Sequence, residues 1–362
     1  MTTLISLISD QTIPNVQFIK EKNDVDNYIF ITSEDMERKD VTQWIVNACN
    51  LNDKQTSRII VNPFSFDDIH YKIGAVLNDD DRYLVNLTGG TKIMSLAIND
   101  LLRDFNTEMF YLTGNKSYIK IFPGRNKPVF SLANPLTIEE YLAAYGFQLT
   151  KSSQPSIPFE VTETICNYFI HSFDKETDIS PLTFLFSKRD KNVNSIDEQE
   201  GLNEFLNRIG FIPSQENKLN KLETKYLTGD WFEEYIYLLI LKQNDKTISD
   251  IATGCNIIKN GVKNEFDILY IQNDNLNIIE CKTFIWSNPE ETKTIISETI
   301  YKADSLKNKL GLFANTSIVT LSELSSSRLQ DHLDRAKESN VKVLGKESFN
   351  SKEYLLKKLI EC

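Results

Sequence analysis

EFDILYIQNDNLNIIECKTF, residues 265–284, decides the reading of the chain. Two short apolar runs, Phe266 to Ile271 and Leu276 to Thr283, flank Gln272-Asn273-Asp274-Asn275, the pattern of a tight β-hairpin. Side chains alternate along a strand, so Glu265, Asp267, Leu269 and Ile271 share one face of the first strand, and Ile278, Glu280 and Lys282 share one face of the second. A carboxylate from each strand can then converge on one ion. Hard divalent cations such as Mg²⁺ and Mn²⁺ take oxygen ligands of this kind. Lys282 points the same way as Glu280 and can hold a water or face the charge on a phosphoryl oxygen. A Glu-x-Lys on a strand is also the ordinary pattern of a cross-strand ion pair on a solvated face. The flanks argue for the site, because Ile278-Ile279 and Phe284-Ile285-Trp286 make a central strand, where charge is costly unless paired or metal-bound.

Working outward, the segment Trp231 to Leu241 reads as a helix whose stripe is Phe232, Tyr235, Ile236, Leu239 and Ile240. Glu233 lies on the edge of that stripe and is aimed at the domain interior, whereas Glu234 faces the other way. A Glu whose stem packs on the core while its head reaches water would look the same. Further on, a helix from Ile300 to Leu310 stopped by Gly311, strands at Ile318 to Leu321 and Val341 to Leu344, and a helix from Leu324 to Glu338 complete an α/β domain.

Together Glu233, Asp267 and Glu280-Cys281-Lys282 resemble the PD-(D/E)xK nuclease core, the restriction-endonuclease-like fold. The opening acid here stands in Glu265-Phe266-Asp267, not in a literal Pro-Asp. The resemblance implies that Asp267 and Glu280 bind one or two Mg²⁺ or Mn²⁺ ions, joined by the carbonyl of Cys281 and by Glu233, directly or through water. It also implies that Lys282 positions the water that attacks a phosphodiester.

The first 150 residues alternate strand and helix patterns: Leu4 to Ile8, Tyr28 to Thr32, Arg58 to Val61, Tyr83 to Leu87 and Met109 to Leu112, with Tyr118 to Phe122 and Val129 to Leu132 as a closing hairpin. Ser33-Glu34-Asp35 reads as a helix start, and a helix is expected from Lys92 to Phe105. Short apolar strands with intervening helices make a doubly wound parallel sheet. Asn86-Leu87-Thr88-Gly89-Gly90-Thr91-Lys92 sits where a strand turns into a helix. Glycines admit a close backbone approach, and the helix start offers N–H groups to an anion. A plain strand–helix turn is the competing reading. Ser9-Asp10-Gln11-Thr12 and Thr32 follow other strands and would line the same crevice.

The string Thr88 to Met94, with Ser9-Asp10-Gln11 and Pro14-Asn15, resembles the CARF domain, the Rossmann-like sensor of type III CRISPR systems. That resemblance implies a homodimer binding a two-fold cyclic oligoadenylate, with cyclic tetra-adenylate the expected ring, in contact with Ser9, Asp10, Gln11, Thr12, Thr32 and Thr88-Gly89-Gly90-Thr91-Lys92. A sensor at 1–146 ahead of a nuclease domain at 226–362, opened by Gly229-Asp230-Trp231-Phe232-Glu233, is similar to the ligand-activated ancillary nucleases of those systems. It implies cleavage of DNA, or of RNA. A non-enzymatic sensor acting as a transcription regulator is the alternative. Residues 147–225 read as a helical connector, with linker composition from Lys151 to Pro158.

Composition narrows the partners. The 362 residues hold 40 basic and 51 acidic side chains, a net charge of −11 shared as −5 over residues 1–150 and −6 over residues 151–362. Nucleic acid must therefore be met by a local patch or through a metal. Lys293, Lys302 and Lys307-Asn308-Lys309 are the candidate patch, with a solvated helix face as the competing reading. Five scattered cysteines without a Cys-x-x-Cys, and three distant histidines, argue against a disulfide framework or a zinc site and fit a reducing cytosol. The longest apolar run, Tyr235 to Leu241, is too short for a membrane span, and no leader peptide is read.

Overall fold

A computed structural model describes residues 1–51, 55–114, 116–155, 157–283, 289–307, 309–324 and 329–360. The first sheet is built from β1 (Thr2–Leu7), β2 (Asn27–Thr32), β3 (Gln55–Ile60), β4 (Arg82–Asn86), β5 (Thr107–Leu112), β6 (Ser117–Phe122) and β7 (Val129–Ser131), in the order β3-β2-β1-β4-β5-β6-β7. The pairs from β3 to β5 are parallel, and β6 and β7 close the edge antiparallel. Neighbouring residues of a strand face opposite sides, and both sides are buried. Leu4, Phe30 and Leu84 pack with residues of the helices Ile13–Glu21 and Val41–Ala48. Ile5, Ile31 and Val85 pack with residues of the helices Phe66–Gly74 and Lys92–Leu101. The strand order reverses at β1 and β4, so the loops after these strands share one crevice.

The second sheet runs β15-β14-β13-β12-β11-β8. Its members are β8 (Gln148–Ser153), β11 (Ile248–Lys259), β12 (Val262–Gln272), β13 (Asn275–Lys282), β14 (Ala314–Thr320) and β15 (Val341–Leu344); a separate two-stranded ladder joins β9 (Val193–Ser195) to β10 (Lys218–Asn220). β11, β12 and β13 form an antiparallel meander, and β14 and β15 continue parallel to β13. Asn273 and Asp274 turn the central hairpin with φ of 52° and 60°.

Several elements differ from the sequence reading. Lys151 to Ser153, read as the start of a linker, belong to an edge strand, Gln148–Ser153, paired with β11. The expected helix from Lys92 to Phe105 ends at Leu101 and tightens into a 3₁₀ turn over Leu102–Asp104. The helix Pro289–Lys307 begins eleven residues before the expected Ile300, and the next helix covers only Gln330–Glu338. Phe284-Ile285-Trp286, Asn308 and Cys362 lie outside the described residues. The connector helices Phe159–His171, Lys175–Ser187 and Leu202–Arg208 share a core with the helix Trp231–Lys242: Ile165, Phe169, Leu182 and Phe205 cluster with Trp231, Phe232 and Tyr235. They belong to the second sheet's side of the molecule.

The two halves are stitched together. Leu136, Ile138, Tyr141 and Tyr145 share one core with Leu269, Ile271, Leu276, Leu306 and Leu310. The buried Asp274 carboxylate accepts the Leu136 N–H and the Gln17 Nε2–H, each at 3.0 Å, and Asp250 accepts the Ile138 N–H at 2.8 Å. Among the described residues, no helix is long and apolar enough to cross a membrane.

The glycine turn after β4 tests this packing. A Cβ built on Gly89 would stand 2.1 Å from the Leu7 carbonyl oxygen, so β1 and the turn touch backbone to backbone. Gly89→Ala is expected to lower stability by about 1–3 kcal/mol in urea unfolding. Gly74→Ala, with nothing within 4 Å of the new methyl, is expected to hold or raise it. Equal stability of the two variants would contradict the close contact.

Candidate functional site

β12 and β13 pair from Gln272 opposite Asn275 up to Ile268 opposite Ile279 and no further, while β13 stays paired with β14 as far as Lys282. The strands therefore part at Asp267. Its carboxylate fills the gap: Oδ2 accepts the Cys281 N–H at 2.6 Å, and the Asp267 carbonyl accepts the Thr253 hydroxyl at 3.0 Å. Lys282 Nζ stands between the two strand acids, 3.3 Å from Asp267 Oδ2 and 3.4 Å from Glu280 Oε2. The Glu280 side chain is only 6% exposed and Asp267 13%, against 30% for Lys282. The shared face read from the alternation is thus observed for Asp267, Glu280 and Lys282. The Cys281 side chain is buried among Ile268, Ile279 and Trp231.

Glu233 arrives on the helix Trp231–Lys242. Burial, then the charges of Asp267 and Asp230, push its carboxyl up to about 9. Glu280 is raised by burial and by Asp267, against the pull of Lys282 and Lys302. Burial works to lower Lys282, but Asp267 and Glu280 outweigh it and hold its ammonium well above the ordinary lysine value. Glu234 is half-buried on the side of Tyr226, so both acids of the helix are partly covered and only Glu233 is tied to Asp267. Among the described residues, no three His, Cys, Asp or Glu side chains stand together closely enough to hold a metal ion. The donor set nevertheless suits a hard cation. Asp267 and Glu280 offer oxygen donors, and the crowding that disfavours a charge on Glu233 is the repulsion a divalent ion would relieve.

Lys302 is the group whose role the sequence missed. It lies on the helix Pro289–Lys307, and its Nζ donates to Glu280 Oε1 at 3.1 Å and to the Glu265 carbonyl at 3.0 Å. The seven-residue spacing with Lys309 puts it on a basic face but says nothing of Glu280.

At the glycine turn, buried Asn86 donates to Asn15 Oδ1 at 2.9 Å and accepts the Thr88 N–H at 3.0 Å. Thr88 Oγ1 accepts the Leu112 N–H at 2.8 Å. Thr91 caps the helix through the Met94 N–H and donates to the Pro63 carbonyl at 2.6 Å. These hydroxyls shape the turn. Gly90 has φ of +70°, and Lys92 is exposed at the helix start. Asp10 is exposed and pairs with Lys39 at 3.2 Å, and Ser9 Oγ reaches the Gln11 carbonyl at 3.5 Å. Thr12 and Thr32 depart from the expectation of a crevice lining. Both are fully buried, and Thr32 takes the Thr42 hydroxyl at 3.5 Å. Gln11 reaches the other half of the molecule: its Oε1 accepts the Leu312 N–H at 3.2 Å and the Tyr145 hydroxyl at 3.4 Å.

Fold and site together define a class: a Rossmann-like sensor domain joined to a restriction-endonuclease-like domain. Residues 3–141 match the Card1 CARF domain, and residues 220–361 match the Card1-like endonuclease domain. The two matches span well over half of the chain, which belongs to the family that joins these two domains. No curated protein sequence matches it. Among solved structures it is similar to Can2 from Sulfobacillus thermosulfidooxidans in complex with cyclic tetra-adenylate, at 23% identity and TM-score 0.76, over 99% of each chain. Protein VC1899 from Vibrio cholerae is similar at 17% identity and TM-score 0.78, over 99% of this chain and 98% of that one. A type III CRISPR defence DNA nuclease activated by cyclic oligoadenylate is similar at 16% identity and TM-score 0.54, over 88% of this chain and 45% of that one.

The raised Glu233 carboxyl carries a stability signature. Its ordinary value is 4.5 and its folded value about 9, so folding favours the protonated form. That contribution is complete below about pH 4.5 and is lost as pH rises toward 9. In chelator, Glu233→Gln is therefore expected to melt about a few °C above the wild type at pH 8 and level with it at pH 4.5. A Gln variant that melts lower at pH 8 would show that Glu233 is charged and satisfied without metal.

Proposed function

We propose that the chain is a cyclic oligoadenylate-activated, metal-dependent endonuclease of type III CRISPR defence, cutting DNA and, as a second substrate class, RNA. The observation that carries this reading is the meeting of Asp267, Glu280 and Lys282 where β12 and β13 part, within the stretch matching an endonuclease domain. That match also speaks against a transcription regulator. In this reading residues 1–146 sense the ligand, residues 226–362 cut, and residues 147–225 support the nuclease side.

Asp267, Glu280, the Cys281 carbonyl and Glu233 would hold Mn²⁺ or Mg²⁺. When bound, such an ion supplies Lewis-acid polarisation of the phosphodiester and a water of lowered pKa. Lys282 stays charged beside both acids, placed to orient that water or to donate to a phosphoryl oxygen. Asp267 is held by the Cys281 N–H at the same oxygen that Lys282 reaches. Cyclic tetra-adenylate is the proposed activator, supported by its presence in the similar Can2 structure. Lys92, Gly90 and the helix start would meet its phosphates. Beside them Phe64, Ile93 and Leu96 are exposed at 77%, 36% and 58%, an apolar patch suited to the partner subunit of a homodimer that shares one two-fold ring. The setting is the cytoplasm, where such a ligand and a viral nucleic acid meet.

Gating needs a link between the halves, since a ligand acts only through its different affinity for two arrangements. Gln11, in the loop after β1, holds the Leu312 N–H and the Tyr145 hydroxyl just beyond the helix that carries Lys302. Tyr145→Phe is expected to keep ligand affinity, read by calorimetry, and to reduce ligand-stimulated cutting several-fold. Unchanged activation would place the coupling elsewhere.

The main test is nicking of supercoiled plasmid, with an RNA panel beside it, in Mn²⁺ with and without cyclic tetra-adenylate. Glu280→Ala is expected to cut at least about a hundredfold more slowly with unchanged ligand affinity. Lys92→Ala is expected to bind the ring about tenfold more weakly and to keep basal cutting. Full activity of Glu280→Ala would remove the metal-site assignment.

A further inference from the structure

Glu280 has both carboxylate oxygens engaged, and by different elements. Oε2 is turned to Lys282, the residue that also reaches Asp267, and Oε1 is turned to Lys302 at 3.1 Å. Lys302 is itself held at two further points. Its Nζ donates to the Glu265 carbonyl at 3.0 Å and lies 5.6 Å from the centre of the Phe266 ring. A surface lysine on a solvated helix face has no such set of anchors.

We propose that Lys302 is a positioning residue of the hydrolytic site, tying down one Glu280 carboxylate oxygen so that the other stays beside Lys282, the lysine that also reaches Asp267. The inference rests on the nuclease reading above. A glutamate has three rotatable bonds, and a carboxylate free at both oxygens can swing away from its neighbour or chelate Lys282 with both. With Oε1 occupied from the helix, Glu280 presents a single donor on the side of Lys282, the arrangement two carboxylates need to share one ion. Lys282 is then spared the task of neutralising the whole of Glu280 and stays in contact with Asp267. The Lys302 side chain is 43% exposed, so its removal leaves no cavity in a core, whereas Glu280 at 6% has little water to replace it. Beyond this helix, the Leu310 carbonyl takes the Tyr141 hydroxyl at 3.0 Å and the Leu312 N–H meets Gln11. The residue that orients Glu280 thus sits shortly ahead, along the chain, of the Leu312 contact with the loop after β1.

The experiment compares full-length wild type, Lys302→Met and Lys302→Arg. Mn²⁺ binding is measured by calorimetry without nucleic acid, and plasmid nicking is measured across Mn²⁺ and salt concentrations. Lys302→Met is expected to bind Mn²⁺ about tenfold more weakly and to need about tenfold more Mn²⁺ for half-maximal nicking, with KM for plasmid unchanged. Lys302→Arg, which keeps charge and reach, is expected to recover most of the affinity. Melting in chelator checks that both variants are folded, and Lys302→Arg keeps the test open if Lys302→Met is not. Wild-type Mn²⁺ affinity in Lys302→Met would overturn the proposal. So would an effect confined to KM and its salt dependence, which would make Lys302 a phosphate contact. A wild type that neither binds Mn²⁺ nor cuts would instead bring down the nuclease reading, and this inference with it.

Discussion

Where β12 and β13 stop pairing, the Cys281 N–H would lose its partner, and Asp267 Oδ2 accepts it at 2.6 Å. A buried N–H left unpaired costs about 1–3 kcal/mol, so the strands can separate only because a side chain takes over the bond. That substitution opens the notch and fixes its first acid at once. Glu280, the preceding residue on β13, is brought opposite, and Lys282, two further on, falls between the two. On the other side of the sheet Ile268, Ile279 and Cys281 pack against Trp231, Phe232 and Ile236, which sets the helix that delivers Glu233. The acids are held by a backbone donor, a lysine and a packed helix, none of which needs an ion to form.

Much of this was legible from local periodicity. The alternation along 265–284 put Asp267, Glu280 and Lys282 on one side, and the helical spacing from Trp231 singled out Glu233. Both inferences use only geometry that repeats within an element. The first sheet was readable for the same reason: strands buried on both faces are continuous apolar runs, as in Tyr83 to Leu87. What escaped depended on contacts between distant segments. Gln148–Ser153 carries no apolar alternation because it is an exposed edge strand, and the polar composition from Lys151 onward read as linker. The helix that starts after Ser33 runs only over Glu34–Arg38, and a break near Asp40, with φ of 61°, separates it from Val41–Ala48. Thr12 and Thr32 sit in polar strings that suggest a lining, yet the packing of the loops buries them. Thr88 and Thr91 use their hydroxyls to tie the turn to Leu112 and Pro63. Lys302 meets Glu280 across twenty-two residues, beyond any spacing rule.

The electrostatics of the nuclease side follow from the same crowding. Three acids and two lysines balance poorly in a half-buried notch, and the imbalance falls on Glu233. Glu233 carries it, raised by burial and by Asp267, while Glu280 is moderated by two lysines. The unequal treatment of these carboxyls is what distinguishes the cluster from a surface ion pair, where solvent would even out such differences.

The segment 134–145 belongs to the first domain by chain order and packs against both halves. Its Leu136, Ile138, Tyr141 and Tyr145 complete a core with Leu269, Leu276 and Leu310, and its backbone is read by Asp250 and Asp274. Such a join makes the sensor a poor interchangeable cassette. A recombination event that swapped in another sensor at a boundary before residue 134 would keep the hairpin's apolar cover but put the Gln17–Asp274 and Gln11–Leu312 bonds at stake, and one after residue 145 would strip the hairpin of that cover. Exchange of ligand specificity between relatives therefore has to carry matching residues across the seam, at Gln11 and Gln17 for a crossover upstream of this segment and at Asp250, Asp274 and Leu310 for one downstream.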